Sequence, residues 1–204
     1  MTSIEIGRLL RTDLSGFVAG CRVSQLDAPE FGSLVRVTPQ DGLDIFGLVS
    51  NIRIDDDGIV RQLVTAERVD EAVVADNRVN RNIPIEIDVL TVGYRTGGRI
   101  RHSLPPKPPL SLDKLYRCED EDLRAFTMDG FGYFRHVLRA EDAPVGELLA
   151  AHIRQAQAAH AEGGKPAWGK DAARELIVLL RDDYSALMAV LGALRDALPE
   201  VWER

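Results

Sequence analysis

Residues 164–171 come closest to a motif with known chemistry. Their sequence, GKPAWGKD, fits the phosphate-binding pattern G-x-x-x-x-G-K as far as Lys170. A P-loop then needs Ser or Thr to bind Mg²⁺, and it must follow a buried strand. Here Asp171 places a carboxylate where phosphate oxygens would lie, and the preceding residues 150–162 have a helical pattern. We therefore expect this segment to join two helices, and we expect no nucleotide hydrolysis.

The histidines and acidic residues do not form a catalytic or metal-binding pattern. The four histidines include no i, i+4 pair and no H-E-x-x-H motif. His152 lies on an apolar helical stripe, which predicts a half-buried packing residue. Residues 119–122 are all acidic, and we expect them to begin a short helix, where negative charge complements the dipole. The sequence thus predicts no catalytic residue, no metal site and no cofactor, and we expect a protein that is not an enzyme.

A run of basic residues between Gly93 and Lys107 is the most distinctive charged feature. No acidic residue interrupts Arg95, Arg99, Arg101 and Lys107. On a chain with a formal net charge of −7, this local positive charge is a candidate contact for nucleic acid or an acidic partner. Stacking on single strands needs several aromatic residues, however, and only Tyr94 is present. A solvated strand edge that is protected by its charges is the favoured alternative.

The elements that would position these residues are strands in the first half of the chain. Residues 17–23 and 83–90 alternate between apolar and polar side chains, and residues 34–37 form a shorter apolar run. Residues 43–54 predict a strand with a bulge at Gly47. Short strands that are separated by Gly, Pro and Asp favour a closed barrel over an open sheet.

Three further segments connect or leave these strands. Residues 55–58, DDDG, predict a tight hairpin turn, and residues 59–64 predict the returning strand. Residues 66–79 lack Gly and Pro, which favours a helical excursion or a mixed loop. The proline-rich residues 105–109 could serve as a polyproline ligand, but a rigid strap that leaves the barrel is the favoured interpretation.

The chain after the proline-rich segment has helical periodicity. Apolar residues recur at helical spacing over residues 145–156, with Asp142 as the expected N-cap and Gly163 and Gly164 at the end. A second helix is expected over residues 170–198, so that the two form a helical hairpin. Its apolar stripe is a candidate helix-to-helix interface, although an ordinary intramolecular core explains the stripe equally well. The proposed interface residues are Leu176, Ile177, Leu180, Leu187, Met188 and Leu191.

Length and composition set broad limits. The chain of 204 residues suits one large or two small domains, and 45% hydrophobic content is enough for a core. No basic and apolar leader of the signal-peptide type begins the sequence, and no apolar run approaches the roughly 20 residues that span a bilayer. Cys21 and Cys118 are too few for a metal cluster or a disulfide framework, which indicates reduced thiols. We expect a cytoplasmic protein without membrane contact.

Three segments, taken in order, resemble the HAS-barrel family. They are IGRLLRT from Ile6, FGLVSNIRI from Phe46, and VGYRTGGRIRHSLPPKPPLSLDKLYRC from Val92 to Cys118. The HAS-barrel is the small β-barrel shared by HerA-type DNA-translocating ATPases and the N-terminal barrels of rotary ATP synthase subunits. The resemblance implies an α+β chain with a closed barrel over residues 1–118 and a helical region over residues 119–204.

The resemblance implies the role of the barrel and not the role of the ATPase core. In HerA-type proteins a RecA-like core of several hundred residues follows the barrel, whereas 86 residues follow Cys118 here (204 − 118). In HerA-type rings the barrel packs subunit against subunit and offers a surface to a NurA-type nuclease. We therefore expect an assembly or adaptor module that forms a homo-oligomer or docks to an ATPase or a nuclease in DNA processing. The alternative hypothesis is a nucleic-acid-binding protein that uses the basic residues 95–107.

Overall fold

The structure is a computed structural model that describes residues 4–21, 29–39, 42–54, 65, 71–72 and 85–199. Its described part contains seven strands and, after them, five helices. The strands are β1 (Glu5–Thr12), β2 (Gly16–Cys21), β3 (Leu34–Val37), β4 (Asp44–Ile54), β5 (Ile85–Thr96), β6 (Arg99–Arg101) and β7 (Lys114–Arg117). The helices are α1 (Asp120–Met128), α2 (Phe134–Val137), α3 (Val145–Glu162), α4 (Trp168–Leu179) and α5 (Tyr184–Ala197).

Six antiparallel strands close into the barrel that the sequence predicts. The strands follow the order β2-β1-β7-β3-β4-β5, and β2 pairs with β5 to complete the circle. In that closing pair Gly16 lies opposite Leu90 and Cys21 lies opposite Ile85. The short β6 extends β5 beyond the barrel as the second arm of a hairpin. The predicted α+β class and closed barrel are therefore confirmed.

The predicted bulge in β4 falls at Gly47. The register between β4 and β5 shifts between Phe46 and Gly47. A Cβ atom at Gly47 would overlap the side chain of Val89 and lie 3.0 Å from the carbonyl oxygen of Leu90. Glycine is therefore required here by the close approach of β5, as a bulge in a tightly curved strand commonly demands.

The proline-rich segment returns the chain to the barrel instead of leaving it. It connects β6 to β7, and β7 lies between β1 and β3 as a barrel strand. In these pairs Leu115 is opposite both Gly7 and Val37, and its side chain is fully buried. The prediction missed this return because β7 has only four residues and no clear alternation of its own.

The second predicted helix is interrupted. Instead of one helix over residues 170–198, α4 ends at Leu179 and α5 begins at Tyr184. Asp183 accepts a hydrogen bond from the Ala186 amide at 3.0 Å and thereby caps α5. An aspartate in this role competes with helix continuation, and the periodic apolar residues on either side conceal the break.

The start of α3 also differs from the expectation. Pro144 occupies the N-cap position, and no side-chain hydrogen bond caps this helix, so Asp142 is not its N-cap. The other two helix boundaries that the sequence indicates are confirmed. The acidic residues 119–122 begin α1, and Gly163 follows the last residue of α3.

Some predicted elements fall largely on residues outside the described ranges. The turn at 55–58 and the strand at 59–64 lie entirely outside them. Of the excursion at 66–79, only Glu71 and Ala72 are described, and both are helical. The predicted strands at 17–23 and 83–90 are described from 16 to 21 and from 85 onwards.

The molecule has two apolar cores that share the strands β3, β4 and β5. One core fills the barrel, with Ile45, Val49 and Val89 among its members. The other lies between the outer face of the barrel and the helices. Its fully buried strand residues are Leu34, Phe46, Leu48 and Val92, and Ile100 of β6 packs against them. Phe126 of α1 contacts the Phe46 ring at a centroid distance of 5.0 Å, so the helices are packed directly on the barrel wall.

Candidate docking surface

The wall of the barrel opposite the helices is uncovered in the described part of the chain. The core beneath the helices takes residues from β3, β4, β5 and β6 and none from β1, β2 or β7. The outer face of β1 and β7 carries charges of both signs: Glu5 lies 2.8 Å from the Lys114 ammonium and 3.5 Å from the Arg8 guanidinium. This wall is therefore solvated and polar along its centre.

An exposed turn of two leucines lies at the edge of this wall. We call residues 110–113 the leucine turn. Leu110 is 70% exposed and Leu112 is 67% exposed. Leu112 has φ of 70°, and it is the only non-glycine residue with positive φ among the described residues. The left-handed conformation costs a residue with a Cβ atom roughly 1–2 kcal/mol, and the turn therefore presents a large apolar side chain at an energetic cost.

Hydrogen bonds fix the leucine turn against β1. The Leu112 amide donates to the Leu9 carbonyl oxygen at 2.8 Å, and the Arg8 guanidinium donates to the Leu112 carbonyl oxygen at 3.0 Å. Within the turn, the Leu110 amide donates to the Asp113 carboxylate at 2.8 Å. Leu10, on the adjoining strand, is also exposed. The leucines are thus displayed on a backbone that two of these hydrogen bonds join to β1 and the third closes into a turn.

The six residues of the predicted helical interface differ in burial. Leu176 and Leu180 are buried in the core beneath the helices. Leu187 and Leu191 are half-buried against the same core, whereas Ile177 and Met188 are exposed. The residues that α5 buries most deeply are Val190 and Leu194. Whether the exposed pair serves an interface stays a prediction.

The predicted basic residues also occupy two different environments. The Arg95 guanidinium bonds to the buried Asp44 carboxylate through Nε at 2.8 Å. Asp44 also accepts a hydrogen bond from Thr38 Oγ1 at 2.6 Å and lies 3.4 Å from the Arg36 guanidinium. Arg95 is therefore part of an internal ion-pair cluster, while Arg99, Arg101 and Lys107 are exposed.

The buried histidines join the helices to one another and to the barrel. His152 is fully buried, not half-buried as its position on the apolar stripe predicts. Its Nδ1 donates to the Gly32 carbonyl oxygen at 3.2 Å, so its Nε2 accepts from the Tyr133 hydroxyl at 3.0 Å. Burial lowers the pKa of His152 to about 4. This neutral imidazole connects α3 to a barrel loop and has no accessible face for a substrate.

His160 has a comparable structural role near the C-terminal end of α3. The Thr127 hydroxyl donates to the Leu123 carbonyl oxygen at 2.7 Å, which leaves it to accept from His160 Nε2 at 2.7 Å. The His160 ring stacks on Trp168 with a centroid distance of 4.8 Å. The contact brings α1, α3 and α4 together.

The segment that resembles a P-loop forms a helix-to-helix turn, as predicted. Residues 163–167 join α3 to α4 without a preceding strand. The Gly169 amide, which a phosphate cradle would direct at its ligand, donates to the Gln157 side chain at 2.6 Å. That side chain also donates to the Pro166 carbonyl oxygen at 3.0 Å. The Gln157 side chain therefore provides hydrogen-bond partners for the backbone of this turn from inside the protein.

Burial suppresses ionisation of both cysteine thiols. Burial in the barrel raises the pKa of Cys21 to about 11, and burial likewise raises the pKa of Cys118. Both thiols stay protonated at neutral pH, and a thiol is a much weaker nucleophile than a thiolate. Both are free cysteines.

Within the described ranges, no group of three or more His, Cys, Asp or Glu side chains could hold a metal ion. None of the described helices has the length and apolar character needed to cross a membrane. Comparison of the sequence with protein-family models and with curated proteins found no match. The HAS-barrel resemblance therefore stays a prediction that depends on the three segments quoted above.

Proposed function

We propose that this chain is a non-enzymatic assembly or adaptor module whose barrel mediates association with another protein. The observation that carries the proposal is the leucine turn, which is rigid, exposed and strained at Leu112. Strained backbone persists where the surrounding structure enforces it, and it is often found at binding sites. Burial of a leucine side chain contributes roughly 1.5–3 kcal/mol, which is enough to offset the cost of its conformation.

The occupant that we propose for the leucine turn is a second copy of the chain. The neighbouring wall carries Glu5 between Lys114 and Arg8, so both signs of charge are present on one small surface. In an isologous dimer the same patch meets itself, and a patch of mixed charge can complement its own copy. The HAS-barrel resemblance supports the same conclusion, because barrels of that family pack subunit against subunit.

The test is the molar mass in solution, measured by size-exclusion chromatography with multi-angle light scattering. We expect the wild-type chain to form a dimer or a larger assembly that dissociates on dilution. The double variant Leu110→Ser/Leu112→Asn should be monomeric, since it removes both apolar side chains and asparagine tolerates the left-handed conformation. Leu104→Ser, an exposed leucine just before the proline-rich segment, is the matched control and should retain the assembly.

The outcomes also separate self-association from docking to another protein. A monomeric wild-type chain at every concentration would refute self-association. The monomer is then mixed with a purified HerA-type ATPase or NurA-type nuclease to test the adaptor role. A complex with either that is lost in the double variant would support the adaptor role, and failure to bind either would refute it.

A further inference from the structure

A second surface, independent of the leucine turn, concentrates positive charge at the other side of the barrel. It forms where the β5–β6 hairpin meets α2. The Arg135 guanidinium and His136 Nε2 both donate to the carbonyl oxygen of His102, the residue that follows β6. These bonds bring together residues 96–109 and 130–140, neither of which contains Asp or Glu. Their basic residues are Arg99, Arg101, Lys107, Arg135 and Arg139.

The arginines of this surface lack the counterions that most of the other described arginines have. Outside this surface, Arg11, Arg124 and Arg195 are the described arginines that share this lack. In the described part of the chain, Arg8, Arg36, Arg53, Arg95, Arg117, Arg154, Arg174 and Arg181 each lie within ion-pair distance of a carboxylate. No such pair involves Arg99, Arg101, Arg135 or Arg139 among the described residues. We call these four residues the basic rim. On a chain of net charge −7, the rim gathers four positive charges, with Asp129 as an acidic residue close to His102.

The geometry of β6 directs two arginines of the rim outward together. Ile100 packs against the core beneath the helices. Alternation along the strand therefore places Arg99 and Arg101 on the opposite face, about 7 Å apart. That separation resembles the spacing of successive phosphates along a nucleic-acid strand. A guanidinium group binds phosphate oxygens through two parallel N–H donors, which a lysine cannot do.

We propose that the basic rim binds the phosphate backbone of nucleic acid. The contacts are to phosphate and not to bases, because the described residues of the two segments include no exposed Phe, Tyr or Trp side chain on which bases could stack. Binding of this kind is independent of sequence and weakens steeply with salt. This inference goes beyond the assembly role and does not depend on it, since the leucine turn and the basic rim share no residue.

The experiment measures fluorescence anisotropy of a labelled single-stranded oligonucleotide and of the corresponding duplex. We expect binding at about 50 mM salt that is at least tenfold weaker at about 200 mM salt. The variant Arg101→Glu/Arg139→Glu should weaken binding about tenfold or more at low salt, since it replaces two of the proposed phosphate-binding positive charges by negative charges. Neither side chain makes a hydrogen bond or an ion pair within the described residues, so the fold should be retained, and circular dichroism checks this.

The matched control is Arg174→Glu/Arg195→Glu, which makes the same change in net charge on α4 and α5. It should bind within about twofold of wild type if the rim is the site, since the contacts and not the net charge dominate. No binding at low salt, or equal loss in the control variant, would overturn the proposal. Binding of labelled polyglutamate with similar affinity and the same sensitivity to Arg101 and Arg139 would also overturn it, in favour of an acidic protein partner.

Discussion

At the scale of single residues, buried histidine makes the stability of this protein depend on pH. The pKa of His152 is lowered to about 4 by burial, against about 6.5 in an unfolded chain. The unfolded state therefore binds the proton more tightly, and acid favours unfolding. The contribution of neutral His152 is fully present above pH 6.5 and is lost as the pH falls towards 4. The total loss is about 3 kcal/mol.

We expect the free energy of unfolding to fall between pH 7 and pH 5 and expect His152→Gln to show a smaller fall over the same interval. Denaturant titrations of both proteins at pH 7 and pH 5 measure the free energy of unfolding. Burial also lowers the pKa values of His102, His136 and His160, so part of the dependence should remain in the variant. If the variant does not fold, NMR of the wild-type imidazole supplies the test. A His152 ring that becomes protonated near pH 6.5 would contradict the prediction.

Leu112 provides a second prediction at this scale, in which a substitution should raise the free energy of unfolding. Its φ of 70° is unfavourable for leucine, and asparagine adopts that conformation more readily. Leu112→Asn should therefore stabilise the isolated monomer by about 0.5–1 kcal/mol, measured by urea unfolding at low protein concentration. Leu110→Asn is the matched control, because Leu110 is equally exposed and has negative φ; it should change stability little. Equal effects of the two substitutions would show that strain at Leu112 is unimportant.

At the scale of elements, the interruption between α4 and α5 depends on one capping aspartate. Asp183 accepts the Ala186 amide at 3.0 Å, and loss of an N-cap costs about 1 kcal/mol. We expect Asp183→Ala to lower the free energy of unfolding by that amount. Asp182→Ala is the control, since among the described residues Asp182 forms only an exposed ion pair with Arg181 and such pairs contribute little. An equal effect of both substitutions, measured by thermal unfolding, would argue against the cap.

The sequence was informative about elements with strong local signals. Alternation revealed the central barrel strands, and Gly47 revealed the bulge because a shift in side-chain phase accompanies it. The return of β7 to the barrel was not visible, since its four residues are placed by pairing with β1 and β3 and not by local preference. The break before Asp183 was hidden for a related reason: apolar spacing continues through it.

The candidate surfaces were only partly accessible to sequence analysis. Arg99, Arg101 and Lys107 were identified from their lack of acidic neighbours. The internal pairing of Arg95 with Asp44 joins residues 51 positions apart, and no local pattern shows it. Arg135 reaches the same surface only through its contact with His102. The left-handed conformation of Leu112 also lacks a sequence signal, because leucine is not expected there.

At the scale of the whole molecule, the core beneath the helices contains residues of both the barrel and the helices. We therefore expect the barrel and the helices to unfold together. Phe126 of α1 packs against Phe46 of the barrel and Tyr133 before α2, and Phe126→Ala should cost about 3–5 kcal/mol. We expect hydrogen exchange in β4 and in α3 to accelerate by the same factor in this variant. Acceleration confined to the helices would instead show that the barrel is stable by itself.

A control substitution within the barrel completes this test. Val89 fills the barrel interior and belongs to the other core, and Val89→Ala should destabilise the molecule by about 1–3 kcal/mol. If the molecule is one cooperative unit, exchange in α3 should accelerate in this variant too, although Val89 lies in the other core. Unchanged exchange in α3 would show that the two parts unfold separately.

The position of β7 between β1 and β3 has a consequence for the chain during its synthesis. Both flanking strands emerge from the ribosome long before Arg117. Until β7 is synthesised, the edges of β1 and β3 that pair with it have no partner strand. Open strand edges attract other chains. The nascent protein therefore passes through a period in which it is vulnerable to aggregation, and that period ends only when a segment of four residues arrives.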